Sequence, residues 1–331
     1  MVGCTIKARR DGKLEILIEI GIKRNRARNA PANSAGLARF STAMTNTMSH
    51  DDPSALNSEF LEEYSSKDSL RRYSKETAGN GIGYLLDHDY GEIYFGVIAD
   101  HIPKSRVQKG IRLWEFGCGA GMNLLHLVST LEQRGVAVEY AVGTDFSAAL
   151  IGAAQEEAKW YLTPEQNKKV RFCVASHENL IEEVTKGLAV HKEALLGSFD
   201  VMLGVNTIRY CHRLMKENEV AATITSLLAD RGVCIVIDMN DKFPAFRSRF
   251  RDRLSKDARA YYLPSLEEYA RPFLSAGLQI LKRENFCWIP HSAGSGLTAV
   301  MRALTPVLNT IAPSRAMRSL VIAQKTGEHR P

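Results

Sequence analysis

The chain has 331 residues, of which 45% are apolar, and a formal charge of +6 at pH 7. This length and composition suit one large globular domain with attachments, and no run of about 18 apolar residues predicts a membrane span. Six scattered cysteines, with no C-x-x-C pair and no cluster with histidine, predict a reducing, cytoplasmic environment and no structural metal site.

Residues 1–47 differ from the rest of the chain. The stretch from Lys23 to Pro31 is basic and polar and is followed by small residues, a composition that cannot build a core. We therefore expect 1–47 to be a disordered leader outside the fold. The apolar run Leu14 to Ile20 has the character of a strand, but the sequence shows no evident partner for it.

Residues 48–110 are predicted to form an N-terminal helical segment. Between Phe60 and Tyr73 apolar and aromatic residues recur three or four apart, which is typical of an amphipathic helix. Tyr64, Tyr73 and Tyr84 are candidate acceptor-binding residues. The alternative for these phenols is simple packing on a sheet.

An apolar strand beginning at Ile111 runs through Glu115 into a glycine-rich turn. The turn contains three alternating glycines, Gly117, Gly119 and Gly121. Residues without a Cβ allow positive φ and close approach of the backbone to a ligand, and the helix from Met122 directs its free N–H groups at the same place. A dinucleotide-binding turn needs G-x-G-x-x-G, and its third glycine is replaced by Met122, so the pattern disfavours NAD and FAD.

The pattern E-x-G-x-G-x-G resembles motif I of the class I S-adenosylmethionine (SAM) methyltransferases. The resemblance implies SAM as cofactor and a Rossmann-like α/β fold with a seven-stranded, mostly parallel sheet and an N-terminal helical lid. It also implies that Glu115 stabilises the cationic methionine end of SAM, through its amino group or a bridging water, and that the glycine backbone faces the cofactor.

A second apolar strand, Val138 to Thr144, ends in Asp145 and Phe146. A carboxylate at the tip of this strand can accept both ribose hydroxyls, and the resemblance gives Asp145 that role with Phe146 beside it. The alternative is a solvated aspartate that caps the next helix. After a third strand, Val170 to Ala175, Ser176 stands where the family often carries an acid, and it is a candidate partner of the adenine amino group.

A fourth strand, from Phe199 to Asn206, matches the family's motif IV in position and character. Ligands of such sheets lie outside the carboxyl ends of the strands, so the polar residues that follow are expected where SAM and acceptor meet. They are Asn206 as a cofactor or acceptor ligand, Arg209 and Tyr210 as acceptor ligands, and His212 as a base. The turn reads Asn-Thr-Ile-Arg instead of the N-P-P-Y of methyltransferases acting on DNA adenine, which disfavours that activity.

A hydroxyl acceptor would need a general base. His212 is the first candidate, with His291 and His177 as others; the alternative for each is an ordinary core or surface histidine.

Strands and helices continue to alternate up to a strand at Ser319 to Gln324, which predicts a mostly parallel α/β sheet. Before it come a helix at Lys216 to Ala229, a strand at Val233 to Met239, a helix from Ser265 closed by Gly277, and a strand at Leu278 to Arg283. Residues 111–331 are thus expected to form the SAM-binding domain.

Two insertions, 246–263 and 287–318, are predicted to cover this domain. The second contains Trp288, a candidate acceptor-binding residue, and a helix whose apolar residues are expected to fall on one side. These are Leu297, Val300, Met301, Leu304 and Leu308. Such a face predicts either a wall of the acceptor pocket or a homodimer interface.

These patterns together predict methyl transfer from SAM to the O, N or C nucleophile of a small organic acceptor, by in-line displacement. Two alternatives stay open: an RNA or protein methyltransferase that uses basic segments such as 247–259, and a catalytically silent SAM-binding scaffold. The modest net charge does not favour a nucleic-acid partner.

Overall fold

The computed structural model describes residues 2–8, 14–20, 85–244, 263–290 and 293–327. The chain divides into two units, residues 1–49 and 50–331. In the first unit, β1 (Val2–Ala8) pairs antiparallel with β2 (Leu14–Ile20). The strand expected at 14–20 therefore has a partner that sequence analysis did not identify. A usable signal was Asp11-Gly12, a hairpin pair between two apolar runs. The leader assignment of 1–47 stays a prediction.

The second unit contains a seven-stranded sheet in the order β5-β4-β3-β6-β7-β9-β8. Its strands are β3 (Ile111–Phe116), β4 (Val138–Asp145), β5 (Val170–Val174), β6 (Phe199–Val205), β7 (Leu228–Met239), β8 (Leu278–Phe286) and β9 (Arg318–Lys325). Strands β3 to β7 are parallel, and β9 lies antiparallel between β7 and β8. The predicted seven-stranded, mostly parallel sheet is confirmed.

Helices connect these strands in the described part of the second unit. They are α1 (Tyr90–His101), α2 (Lys104–Lys109), α3 (Met122–Gln133), α4 (Ala148–Tyr161), α5 (Pro164–Lys169), α6 (Leu180–Leu188), α7 (Lys192–Leu195), α8 (Ile208–Arg213), α9 (Glu217–Leu227), α10 (Leu266–Ser275) and α11 (Ser295–Ile311). None of the described helices is long and apolar enough to cross a membrane.

Local capping explains where α10 begins and ends. The Ser265 hydroxyl accepts from the Glu268 backbone N–H at 3.3 Å, and the Glu268 carboxylate accepts from the Ser265 N–H at 2.6 Å. This capping box satisfies two backbone donors at the helix start. Gly277, with φ +85°, follows the helix, in agreement with the sequence-based boundaries.

Side chains of β3 alternate between two apolar layers. Ile111 and Leu113 belong to the cluster covered by α1 and α3, whereas Trp114 and Phe116 belong to the cluster that contains residues of α9 and α10. Because successive residues of a strand point to opposite faces, Glu115 shares the face of Ile111 and Leu113. This alternation sets which helices surround each polar side chain at the carboxyl end of the sheet.

The start of β7 corrects the sequence analysis. The sequence analysis leaves Asp230-Arg231-Gly232 between a helix that ends at Ala229 and a strand that begins at Val233, but β7 already begins at Leu228. Arg231 has φ +63°, and the pairing with β6 shifts register over this stretch. Extra residues in one strand are accommodated as a bulge, so the turn-forming residues kink the strand without ending it.

The insertion after β8 forms a small cluster of its own, made of Trp288, Ile289, Ala293, Met301 and Ala316. The apolar residues expected on one side of α11 differ in burial. Leu297, Met301 and Leu308 pack inward, whereas Val300 and Leu304 are 55% and 40% exposed. A homodimer interface stays a prediction.

Several expected elements lie outside the described residues. They are the amphipathic helix at 60–73, with Tyr64 and Tyr73, the residue Tyr84, the insertion 246–263 except Leu263, and His291.

Candidate cofactor and acceptor site

The glycine turn between β3 and α3 has a left-handed backbone at Gly117, Gly119 and Gly121, with φ of +67°, +54° and +78°. A Cβ at Gly117 would lie 2.5 Å from Oγ1 of Thr207, and one at Gly121 would lie 2.9 Å from the Phe172 ring. A Cβ at Gly119 would meet no atom within 4 Å. Two of the glycines are therefore required by packing within the protein, and Gly119 is the one that leaves room for a ligand.

Asp145 ends β4 and fixes the middle of this turn. Its Oδ2 accepts from the Gly119 N–H at 3.0 Å, and its Oδ1 accepts from the Ser147 N–H at 2.9 Å. The residue is only 6% exposed, and burial raises the pKa of its carboxyl. Each oxygen retains a further lone pair, so the carboxylate is able to accept two ribose hydroxyls.

The alternative of a solvated capping aspartate does not match this geometry. The cap of α4 is Ser147, whose side chain accepts from the Leu150 N–H at 3.3 Å. Phe146, between Asp145 and Ser147, is half-buried.

Glu115 lies at the carboxyl end of β3 and is 1% exposed. Its carboxylate accepts from Asn123 Nδ2 at 3.1 Å and from the Leu124 N–H at 3.0 Å, which ties the strand to the first turn of α3. Burial raises the pKa of Glu115 to about 8. A buried acid of this kind is stabilised in its charged form by a neighbouring cation, and the cationic methionine end of SAM fits this requirement.

Ser176 and His177 follow β5. The Ser176 N–H donates to Glu183 Oε2 at 2.6 Å, and its hydroxyl accepts from the Asn179 N–H at 3.4 Å. The His177 ring packs edge-on against Phe116, its Nδ1 is buried without a hydrogen-bond partner among the described residues, and burial lowers its pKa to about 4. His177 is therefore neutral near pH 7.

The residues after β6 gather at the carboxyl end of the sheet, as expected. Asn206 has a left-handed backbone, φ +58°, and its N–H donates to the Ile237 carbonyl at 2.8 Å. The side-chain oxygen of Asn206 accepts from Arg318 Nη1. Arg318 is the first residue of β9 and is 3% exposed.

Arg209 and Tyr210 are held together at this edge. The Arg209 guanidinium lies 4.5 Å over the Tyr210 ring and donates to its hydroxyl. The Arg209 backbone N–H donates to Asp238 Oδ2 at 3.1 Å, and Asp238 is fully buried. Sequence analysis missed Asp238 and Arg318; their signal was a charged residue at an end of an otherwise apolar strand.

His212 and Trp288 have environments that serve packing. His212 is 9% exposed, stacks edge-to-face on Tyr269 at 5.8 Å, and places its Nδ1 3.8 Å from Glu217 Oε1. Burial lowers its pKa, and Tyr269 belongs to the sheet face opposite Glu115. This placement is compatible with the core-histidine alternative, and the role of His212 as a base stays a prediction. The Trp288 indole N–H donates to Asn309 Oδ1 at 2.7 Å within the insertion.

Comparison with known proteins assigns the chain to a family of enzymes. Residues 107–283, more than half of the chain, match the family described as "Methyltransferase domain". A search of the curated proteins found no match.

Three solved structures match the chain to the following extent. The CurJ carbon methyltransferase is 14% identical, with 83% of this chain and 61% of that chain covered and a TM-score of 0.50. An S-adenosylmethionine-dependent methyltransferase from Mesorhizobium loti is 17% identical, with 72% and 100% covered and a TM-score of 0.45. The geranyl diphosphate C-methyltransferase from Streptomyces coelicolor A3(2) is 14% identical, with 77% and 85% covered and a TM-score of 0.47. The chain thus spans less than two thirds of the CurJ structure.

Proposed function

The chain belongs to the class I SAM-dependent methyltransferases, and from this premise we propose that it methylates a small organic acceptor at oxygen, nitrogen or carbon. When bound, SAM supplies an electrophilic methyl group on a sulfonium. The residues of the chain bind and orient the two reactants, and positioning of this kind provides a large share of the rate in a bimolecular displacement.

Three residues are assigned to the cofactor. Gly119 lets the backbone approach it, Asp145 accepts the ribose hydroxyls, and Glu115 provides negative charge for the methionine end. Asn206 follows β6 directly, at the same end of the sheet as the glycine turn. Its backbone is held by the bond to Ile237 and its side chain by Arg318.

The observation that carries the small-molecule assignment is the anchoring of the insertion over the carboxyl end of the sheet. The Asn240 side chain, just after β7, donates to the carbonyls of Ser314 and Ala316 at 2.9 and 2.6 Å. The Met317 N–H donates to the Cys287 carbonyl at 2.8 Å and closes the insertion at its base. Because the insertion is held at the carboxyl end of the sheet, we expect an enclosed site for a small acceptor there. An open surface that could bind a polymer is less compatible with this arrangement.

The polar groups beside this anchor suit an organic acceptor. Phe243 packs against both the main core and the cluster of the insertion, which supplies an apolar wall. Arg209, which contacts Met239 Sδ at the end of β7, and Tyr210 supply hydrogen-bonding groups at the same end of the sheet. Because a pKa lowered to about 4 makes His177 a weak base and His212 is packed on Tyr269, we propose that rate depends on orienting the acceptor more than on removing its proton.

The acceptor class can be tested with SAM carrying a tritiated methyl group. The purified full-length chain is incubated with an extract of its source cells, which is then separated into low-molecular-weight, RNA and protein fractions. We expect label in an extractable organic compound of the low-molecular-weight fraction, and none with Asp145→Ala. Label transferred only to RNA or protein would overturn the small-molecule assignment.

A further inference from the structure

Tyr94 is a buried phenol whose hydroxyl is not hydrogen-bonded. It lies in α1, its side chain is 1% exposed, and its oxygen has no hydrogen-bond partner within the part of the chain that the structure describes. Buried tyrosine hydroxyls usually find a partner, since an unsatisfied polar group in the interior costs free energy. Tyr94 is an exception among the described residues, and its oxygen can accept a hydrogen bond from a bound ligand.

Glu115 is an acid on the same side of the sheet as Tyr94. Tyr94 belongs to the same core cluster as Ile111 and Leu113, and Glu115 shares their face of β3. The pKa of the Tyr94 phenol is raised well above its usual range, first by burial and then by the negative charge of Glu115. The two oxygen-bearing groups therefore lie within electrostatic reach of each other on the face covered by α1 and α3.

The surroundings of Glu115 favour a cation. Its described hydrogen-bond donors, Asn123 and Leu124, are neutral, and Asp145 is the charged group that acts on it most strongly. A second carboxylate placed here would be repelled by both acids, whereas an ammonium would be attracted and would bring three N–H donors.

We propose that Tyr94 is a further ligand of the methionine end of SAM, its oxygen accepting one N–H of the amino group for which the resemblance already implies Glu115. The proposal rests on the assignment of SAM as cofactor and is independent of the acceptor class. It makes α1, which precedes the glycine turn, part of the cofactor site.

Calorimetry with three ligands tests this assignment. S-adenosylhomocysteine carries the amino group and the carboxylate, decarboxylated SAM keeps the amino group but not the carboxylate, and 5′-methylthioadenosine lacks both. Tyr94→Phe removes only the hydroxyl. We expect it to weaken the first two ligands about tenfold, as for a hydrogen bond to a charged group, and to leave the affinity for methylthioadenosine unchanged.

Tyr269→Phe is the matched control. Tyr269 is also a fully buried phenol, but it lies on the opposite face of the sheet, where its hydroxyl donates to the Met239 carbonyl at 3.1 Å. This variant is expected to keep its affinity for all three ligands. Melting temperatures of both variants, measured without ligand, verify that they fold.

Several results would overturn the proposal. Equal weakening of all three ligands by Tyr94→Phe would mean that Tyr94 acts through packing, and no weakening would mean that it does not bind the cofactor. Weakening of S-adenosylhomocysteine alone would assign Tyr94 to the carboxylate. Failure of the unchanged protein to bind any of the three would instead remove the cofactor assignment itself, which is a distinct outcome.

Discussion

Gly117 and Gly119 should respond differently to alanine although both have a left-handed backbone. That conformation costs a non-glycine residue about 1–2 kcal/mol. At Gly117 the new methyl would also lie 2.5 Å from Oγ1 and 2.7 Å from Cγ2 of Thr207. Moving Thr207 would break the bond from its hydroxyl to the Val205 carbonyl, 3.1 Å long, at a further cost of about 1 kcal/mol.

We therefore expect Gly117→Ala to lose about 2–3 kcal/mol of unfolding free energy and Gly119→Ala about 1 kcal/mol less than that. Gly119→Ala should instead lose cofactor affinity, by about tenfold or more, because its methyl enters the space beside the turn. Urea denaturation without ligand measures the first quantity, and calorimetry with S-adenosylhomocysteine measures the second.

A double-mutant cycle with Thr207→Ala isolates the overlap. Removing Oγ1 and Cγ2 should reduce the stability loss of Gly117→Ala by about 1 kcal/mol. Equal stability losses for the two glycine variants, or an unchanged loss in the Thr207→Ala background, would refute the steric reasoning. Unchanged affinity of Gly119→Ala for S-adenosylhomocysteine would refute its contact with the cofactor.

Asp145→Asn should lower cofactor affinity about tenfold or more in calorimetry while the chain still folds, because the amide keeps one acceptor oxygen but loses the charge. For Glu115, whose pKa is raised from about 4.5 to about 8, the folded chain holds a proton that the unfolded chain has released, so unfolding free energy should fall as the pH rises from 4.5 to 8. Urea titrations should show this fall in the unchanged protein and not in Glu115→Gln. Arg106→Ala should cost about 2–3 kcal/mol in urea, because it leaves the carboxylate of Asp200, 3% exposed, without its paired bonds of 2.9 and 2.8 Å. Arg283→Ala, which breaks an exposed ion pair, should cost under about 0.5 kcal/mol.

Each of these expectations has a contrary result. Unaltered affinity of Asp145→Asn would remove the ribose assignment. A parallel pH dependence in Glu115→Gln and the unchanged protein would show that another group is responsible for it. Equal costs for the two arginine variants would contradict the difference in burial on which that comparison depends.

Local patterns predicted the parts of the site that depend on neighbours in sequence. The glycine turn, the acids Glu115 and Asp145, and the cap at Ser265 were all visible as residue types at short spacing. These features arise from backbone geometry within one turn or one strand end, so adjacent residues determine them.

Contacts between distant residues could not be predicted in this way. Thr207 explains Gly117 although 90 positions separate them in the chain, and Arg318 reaches Asn206 from the last strand of the sheet. His212 looked suitable as a base because it follows β6, but its packing on Tyr269 depends on α10. The environment of each of these residues depends on its neighbours in the folded structure. A single sequence does not show which distant residues come into contact.

The position of β9 affects the order in which the fold can be completed. β9 follows β8 in the chain yet separates β7 from β8 in the sheet. Until the ribosome has released residues 318–325, β8 has no described strand to join and β7 exposes its outer backbone edge. Nascent chains with an unpaired edge are prone to associate with one another. Pairing of β9 with β7 and β8 is therefore the step that covers these edges, after β3 to β7 can already have formed their parallel sheet.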